Sequence, residues 1–161
     1  MASVGVSTDG EIERSLAELR ENGCPEIILL HCVSEYPAKP EDFHLQFMPE
    51  LGERHGTAYG LSDHSPGHVV AVIATALGAR VIEKHFTLDR DDESIDGAFS
   101  MLPLEFAEMV EAVRIAHASI ELSPATPQEE SPSGKASFFK RSILVAETIA
   151  QGETLTAENL R

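Results

Sequence analysis

Positive charge is scarce in this chain. Its 161 residues carry 12 Lys+Arg against 27 Asp+Glu, a formal net charge of −15 with histidine neutral. Nucleic-acid binding requires a basic face that displaces counterions from phosphates, and anionic membrane surfaces attract the same kind of face. The balance therefore speaks against both partners. Long apolar runs are also missing. The longest uncharged apolar stretch, Val69 to Ala79, has 11 residues, whereas a bilayer span needs about 20. The opening MASVGVSTDGE offers neither the basic nor the apolar region of a signal peptide. Cysteine is limited to Cys24 and Cys32, whose spacing fits neither a zinc knuckle nor a redox CxxC. The expectation is a pair of reduced thiols in a cytoplasmic protein. What remains, 42% hydrophobic and 24% charged residues, is ordinary globular composition, and by length about one domain.

The periodicity alternates between helix and strand. Thr8 and Glu11 form a T-x-x-E capping box, with Ile12, Leu16 and Leu19 following at helical spacing and Gly23 at the C-terminal cap. Glu26 to Val33 reads as a strand buried on both faces. A helix is expected around Glu41 to Arg54, kinked or shortened by Pro49. Thr57 to Leu61 and Arg80 to Phe86 read as strands, with a small-residue helix from Gly67 to Gly78 between them. Pro103 opens a last helix with Leu102, Phe106, Val110 and Val113 on its buried stripe. The resulting order, α-β-α-β-α-β-α, means parallel β/α units, and three strands make a poor closed sheet. From Ser123 to Ser137 the composition turns to Pro, Ser and Glu without apolar period, which reads as a linker. Beyond it a strand is expected over Phe138 to Ala146, a turn at Gly152 and the opening of a helix at Thr156 to Leu160.

In parallel β/α folds chemistry gathers where strands end. Each expected strand here ends in polar residues: HCVSEYP at 31–37, Ser62-Asp-His64, and Glu83-Lys-His85. His64 and His85 are 21 positions apart, one β/α repeat, so adjacent strands would bring both imidazoles to one rim. Two neutral imidazoles with open positions beside them suit a divalent ion that must also hold substrate oxygen. Histidines hydrogen-bonded at loop ends would give the same pattern.

HCVSEYP, GLSDH, ALGARVIEKHFTLDR and FFKRSILVAETIAQGETLTAENLR, in this order and spacing, resemble the sialic acid synthase family across nearly the whole chain. Its branches make N-acetylneuraminic, legionaminic and pseudaminic acids. Gly97-Ala-Phe-Ser100 and Phe138-Phe-Lys-Arg-Ser142 resemble the pseudaminic branch more than the others. The resemblance implies an α/β fold, namely the C-terminal portion of a (β/α)8 TIM barrel over residues 1–122. The linker 123–137 would follow, then the start of a truncated SAF (antifreeze-like) domain over 138–161. It also implies condensation of phosphoenolpyruvate with an open-chain N-acyl hexosamine, releasing phosphate and a nine-carbon 2-keto sugar acid. A homodimer is expected of full-length members.

By the same resemblance His64 and His85 match the metal-ligating histidines, for Mn2+ first, with Mg2+ or Co2+ as alternatives. Ser34 and Tyr36 match a polar pair lining the phosphoenolpyruvate and sugar site, Ser34 standing where some members have Asn. Ser62 matches the serine beside the first metal histidine. Loop residues capping nearby backbone are the alternative account of all three. Asp96 falls where the family has Gly-Pro-Asp with a substrate-contacting aspartate. Here the tripeptide is Ser94-Ile95-Asp96, which changes the backbone preferences of that loop. A solvated acidic loop face would explain it equally. Glu83 and Lys84 match the family and could serve packing.

The match begins just after the family's fifth strand, so the S-T-G, glutamate, glutamine and phosphate-binding lysine of the earlier strands have no counterpart. The missing barrel half would be needed for activity. A catalytically inactive remnant or interaction module of the same fold is the alternative.

Overall fold

The computed structural model describes residues 1–91, 94–121 and 143–161. The chain divides into two compact units, Met1–Ser123 and Pro124–Arg161.

The first unit alternates strand and helix: β1 (Ala2–Ser3), α1 (Asp9–Glu21), β2 (Ile28–Cys32), α2 (Phe47–His55), β3 (Ala58–Asp63), α3 (Val69–Ala76), β4 (Ile82–Lys84) and α4 (Pro103–Glu121). The strands form one parallel sheet in the order β1-β2-β3-β4. The sequence pattern predicts three strands. The fourth, β1, is two residues long and carries no periodicity. It exists because Ala2 and Ser3 pair with Leu29 and Leu30.

Local chemistry sets the helix ends. The Glu11 carboxylate accepts the Thr8 backbone N–H and hydroxyl, each at 2.8 Å. At the far end Gly23 takes φ +86°, while Gly23 and Cys24 donate N–H groups to Arg20 and Leu19 carbonyls. This Schellman motif turns the chain into β2. The same device ends α3 at Gly78, φ +94°, with Gly78 and Ala79 donating to Thr75 and Ala74.

Helix α2 is shorter than its predicted span. Pro40–Asp42 forms a separate 3-10 turn, and the helix starts at Phe47. Pro49 therefore lies in the first turn, where its missing N–H has no intrahelical partner to lose.

Leu29, Leu61 and Ile82 share one face of the sheet by register, and the core packs against that face. There Ile12, Leu16, Ile27 and Leu29 pack together. Elsewhere Phe43, Met48, Leu61, Val70 and Ala74 form a second cluster, and Ala71, Met101 and Met109 a third. Val69 and Ile73, on one stripe of α3, and Leu77 at its C-terminal cap stay exposed.

In the second unit Val145 and Leu160 form an antiparallel bridge. The helix expected from Thr156 is replaced by a single turn. Leu160 donates to the Thr156 carbonyl, and Asn159 Oδ1 accepts the Thr156 N–H at 2.7 Å. Backbone bonds between Leu144 and Arg161 then take over the groups that a helix would have used. The whole predicted linker, 123–137, and Phe138 to Ser142 of the predicted strand lie outside the described residues. Among the described residues no helix is long and apolar enough to cross a membrane.

Candidate functional site

Strands β3 and β4 bring the strand-end groups together in register. Ser62 is the partner of Glu83, and Asp63 of Lys84. His64 and His85 come next on each chain. The three pairs thus share one 21-residue offset, and the sheet converts that offset into adjacency. Ser62, His64, Glu83, Lys84 and His85 line a pocket of about 240 Å3. A larger cavity of about 500 Å3, between α3, β4 and α4, is lined by groups such as Ile82, Phe106 and Met109. None of the predicted site residues borders it, so the smaller pocket is the chemically relevant one.

His64 is buried and tightly held. Its Nδ1 lies 2.8 Å from the Val33 carbonyl oxygen. A ring nitrogen facing a carbonyl must carry a proton, so Nδ1–H donates and, in the neutral ring, Nε2 is the nitrogen with the lone pair. The His64 carbonyl in turn accepts the Ala38 N–H at 3.0 Å. The His85 ring stands 5.2 Å from the His64 ring, centre to centre, at 61°. Asp96 Oδ2 approaches His85 Nδ1 to 3.7 Å, which is too long for a hydrogen bond.

Aromatic rings wall this pair. Tyr36 packs on His64 with ring centres 4.2 Å apart and meets His85 edge-on at 5.8 Å. Phe99, in the 3-10 turn Gly97–Phe99, lies 5.2 Å from His85 and 5.9 Å from Tyr36. Ser62 Oγ donates to Glu83 Oε1 at 2.8 Å. Cys32 Sγ sits 3.9 Å from His64 Nδ1, and burial pushes its thiol pKa up.

Of the predicted residues, then, Ser62, His64 and His85 share one pocket, with Tyr36 and Asp96 at the imidazoles. Ser34 does not line that pocket. It is exposed, and its hydroxyl lies beside Gly5, where an added Cβ would come within 2.7 Å of it. Phe99 was legible only as part of a branch-like tetrapeptide, and its contact with His85 needs the fold.

Among the described residues no group of three or more His, Cys, Asp or Glu is arranged to hold a metal ion. The imidazole pair nevertheless fits a share of a ligand set. In the neutral His64 ring Nδ1 is the nitrogen that carries the proton, and ring centres 5.2 Å apart are compatible with one ion at about 2.1 Å from a nitrogen of each ring. Two nitrogens leave the other positions of a divalent ion to water, substrate or further oxygen ligands.

Known synthases share sequence and fold with this chain. Pseudaminic acid synthase of Helicobacter pylori is 38% identical over 164 aligned residues, covering 99% of this chain and 46% of that protein. N-acetylneuraminate-9-phosphate synthase of Drosophila melanogaster is 37% identical over 128 residues, covering 79% of this chain and 34% of that protein. Among solved structures, the N-acetylneuraminic acid (sialic acid) synthetase of Leptospira borgpetersenii, in complex with citrate, superposes with a TM-score of 0.72. It is 32% identical over 84% of this chain and 46% of that one. The chain spans about half the length of the curated relatives that it matches from end to end. The α/β fold with its parallel sheet is that of the sialic acid synthase structures. Residues 1–123 match the NeuB family, and the chain belongs to it.

Proposed function

We propose that this chain is part of a nonulosonic acid synthase. The enzyme condenses phosphoenolpyruvate with an open-chain N-acyl hexosamine and is of the pseudaminic acid type. The observation that carries the reading is the His64–His85 pair at adjacent strand ends, with Nδ1 of His64 engaged by the Val33 carbonyl. Residues 1–122 form a sector of a (β/α)8 barrel. Residues 123–137 link it to the start of an SAF domain over 138–161. The complete enzyme works as a homodimer in the cytoplasm.

In the reaction the enol carbon of phosphoenolpyruvate attacks the sugar aldehyde, water adds to the resulting C2 cation, and phosphate leaves. His64 and His85 would hold a divalent ion, Mn2+ or alternatively Mg2+ or Co2+, whose Lewis acidity favours negative charge developing on the aldehyde oxygen. The chain's own groups do the positioning. Val33 fixes the His64 tautomer, and Tyr36 and Phe99 shield the imidazoles from water on one side. The Ser62 hydroxyl gives its single proton to Glu83 in the free chain, and would turn from Glu83 to donate to a phosphate or carboxylate oxygen of phosphoenolpyruvate. Asp96, beside His85, accepts from a sugar hydroxyl, and Ser34 with Tyr36 lines the outer part of the site.

The test is phosphate release from phosphoenolpyruvate with Mn2+ and N-acyl hexosamines. It uses the chain joined behind the N-terminal half of a pseudaminic acid synthase. We expect release that His64→Ala abolishes. A folded fusion that releases no phosphate would favour a non-catalytic module of the same fold.

A further inference from the structure

We propose that the buried Asp63–Lys84 ion pair is a positioning clamp that sets the separation and orientation of the His64 and His85 imidazoles. The proposal rests on the metal-site reading of that pair and assigns a role to two residues that reading leaves unused.

Lys84 Nζ lies 2.8 Å from Asp63 Oδ2, with side chains only 2% and 0% exposed. The ammonium also donates to the Ser65 carbonyl. The other carboxylate oxygen, Asp63 Oδ1, accepts the Ser65 N–H at 2.8 Å and the Ser65 hydroxyl at 2.6 Å. His64 therefore sits inside a turn closed by its two neighbours. Lys84 ties that turn to the residue just before His85. Asp63 and Lys84 are register partners, so the tie crosses the sheet one residue ahead of the two rings.

Strand alternation turns Asp63 to the face opposite Ser62 and His64, and Asp63 does not line the pocket. Lys84 borders the pocket, but its ammonium is committed to Asp63 and Ser65. Neither group is placed to touch a ligand of the imidazoles, so the role is one of position. Stability alone is a weak reason for such a pair, because burying two charges costs about what their attraction returns. A two-sided tie that fixes the strand ends supplies a stronger one. Partners that orient metal-binding histidines are commonly worth about 10–100-fold in affinity.

The decisive variant is Asp63→Asn combined with Lys84→Met in the full chain. An amide at position 63 can still accept the Ser65 N–H, so the turn survives while the cross-strand tie is lost. Two readouts are taken: the NMR cross-relaxation between the His64 and His85 rings without metal, and Mn2+ affinity by electron paramagnetic resonance. We expect a folded protein with a weakened ring-to-ring signal and Mn2+ affinity lowered about 10–100-fold. A folded variant with both readouts unchanged overturns the clamp. Should the double variant fail to fold, Lys84→Arg keeps the charge but changes its reach. Reduced ring contact in that variant supports the clamp, and full retention overturns it. Absence of Mn2+ binding by the unmodified chain would defeat the metal reading alone, and the ring-to-ring signal would still decide the clamp.

Discussion

The phenol ring of Tyr36 covers the imidazole of His64, their centres 4.2 Å apart and their planes inclined by 34°. Tyr36 is itself 53% exposed, so it forms a lid of one ring between solvent and a buried histidine. The contact is made by the ring, and no hydrogen bond between the two side chains accompanies it among the described residues.

Tyr36→Ala is accordingly expected to weaken Mn2+ binding by about fivefold, the equivalent of about 1 kcal/mol for an aromatic pair. Tyr36→Phe keeps the ring and should stay within about twofold of the parent. Titration of both variants by calorimetry checks this, and equal losses in the two would place the effect in the hydroxyl.

The start of α4 should carry a pH-dependent share of stability. Glu105 accepts the Leu102 backbone N–H at 2.9 Å and pairs with Arg90. Its carboxyl is held below the ordinary value of 4.5, first by the Leu102 N–H and then by Arg90. A carboxylate with a lowered folded-state pKa stabilises the fold fully above its unfolded pKa, and loses that contribution as pH falls through the folded value. Glu105→Gln should therefore lower the thermal midpoint at neutral pH. The gap between variant and parent should shrink once the pH drops below the ordinary carboxylate value. A gap that persists unchanged into that acidic range would contradict the assignment.

Two glycines predict opposite outcomes for the same substitution. At Gly60, inside β3, an added Cβ would come within 2.4 Å of the Val81 carbonyl oxygen and 2.8 Å of Leu30 Cδ2. Gly60→Ala must shift backbone and should cost about 1–3 kcal/mol. Gly10, in the first turns of α1, meets only the Arg14 guanidinium at 3.8 Å. Gly10→Ala should stabilise by about 0.5–1 kcal/mol. Urea unfolding of both variants measures the pair.

The two thiols should separate kinetically. Cys24 is exposed, while Cys32 is half-buried with a thiol pKa raised by burial. Because the thiolate is the nucleophile, iodoacetamide near neutral pH should alkylate Cys24 about tenfold faster or more. Mass spectrometry of peptides from a timed reaction reads the ratio directly, and similar rates would contradict the burial of Cys32.

What sequence determined about this protein is what depends on near neighbours. Thr8 and Glu11 lie within one helical turn, so their mutual capping is written locally, as is the glycine that ends α1. The apolar run through Leu29 and Leu30 could only be an interior strand. A common 21-residue offset was present for Ser62 and Glu83, Asp63 and Lys84, and His64 and His85. Only the histidines read as a pair, because two imidazoles at neighbouring strand ends suit one ion, whereas Ser62 stands out alone and Glu83 and Lys84 could equally serve packing. Tertiary structure decided the rest, for a physical reason in each case. The strand β1 exists through pairing with β2, and two residues have no period of their own. The tautomer of His64 is fixed by a carbonyl 31 positions earlier in the chain. The contact of Phe99 with His85 depends on how a turn folds back, and the burial of Asp63 with Lys84 depends on a register that only the assembled sheet defines.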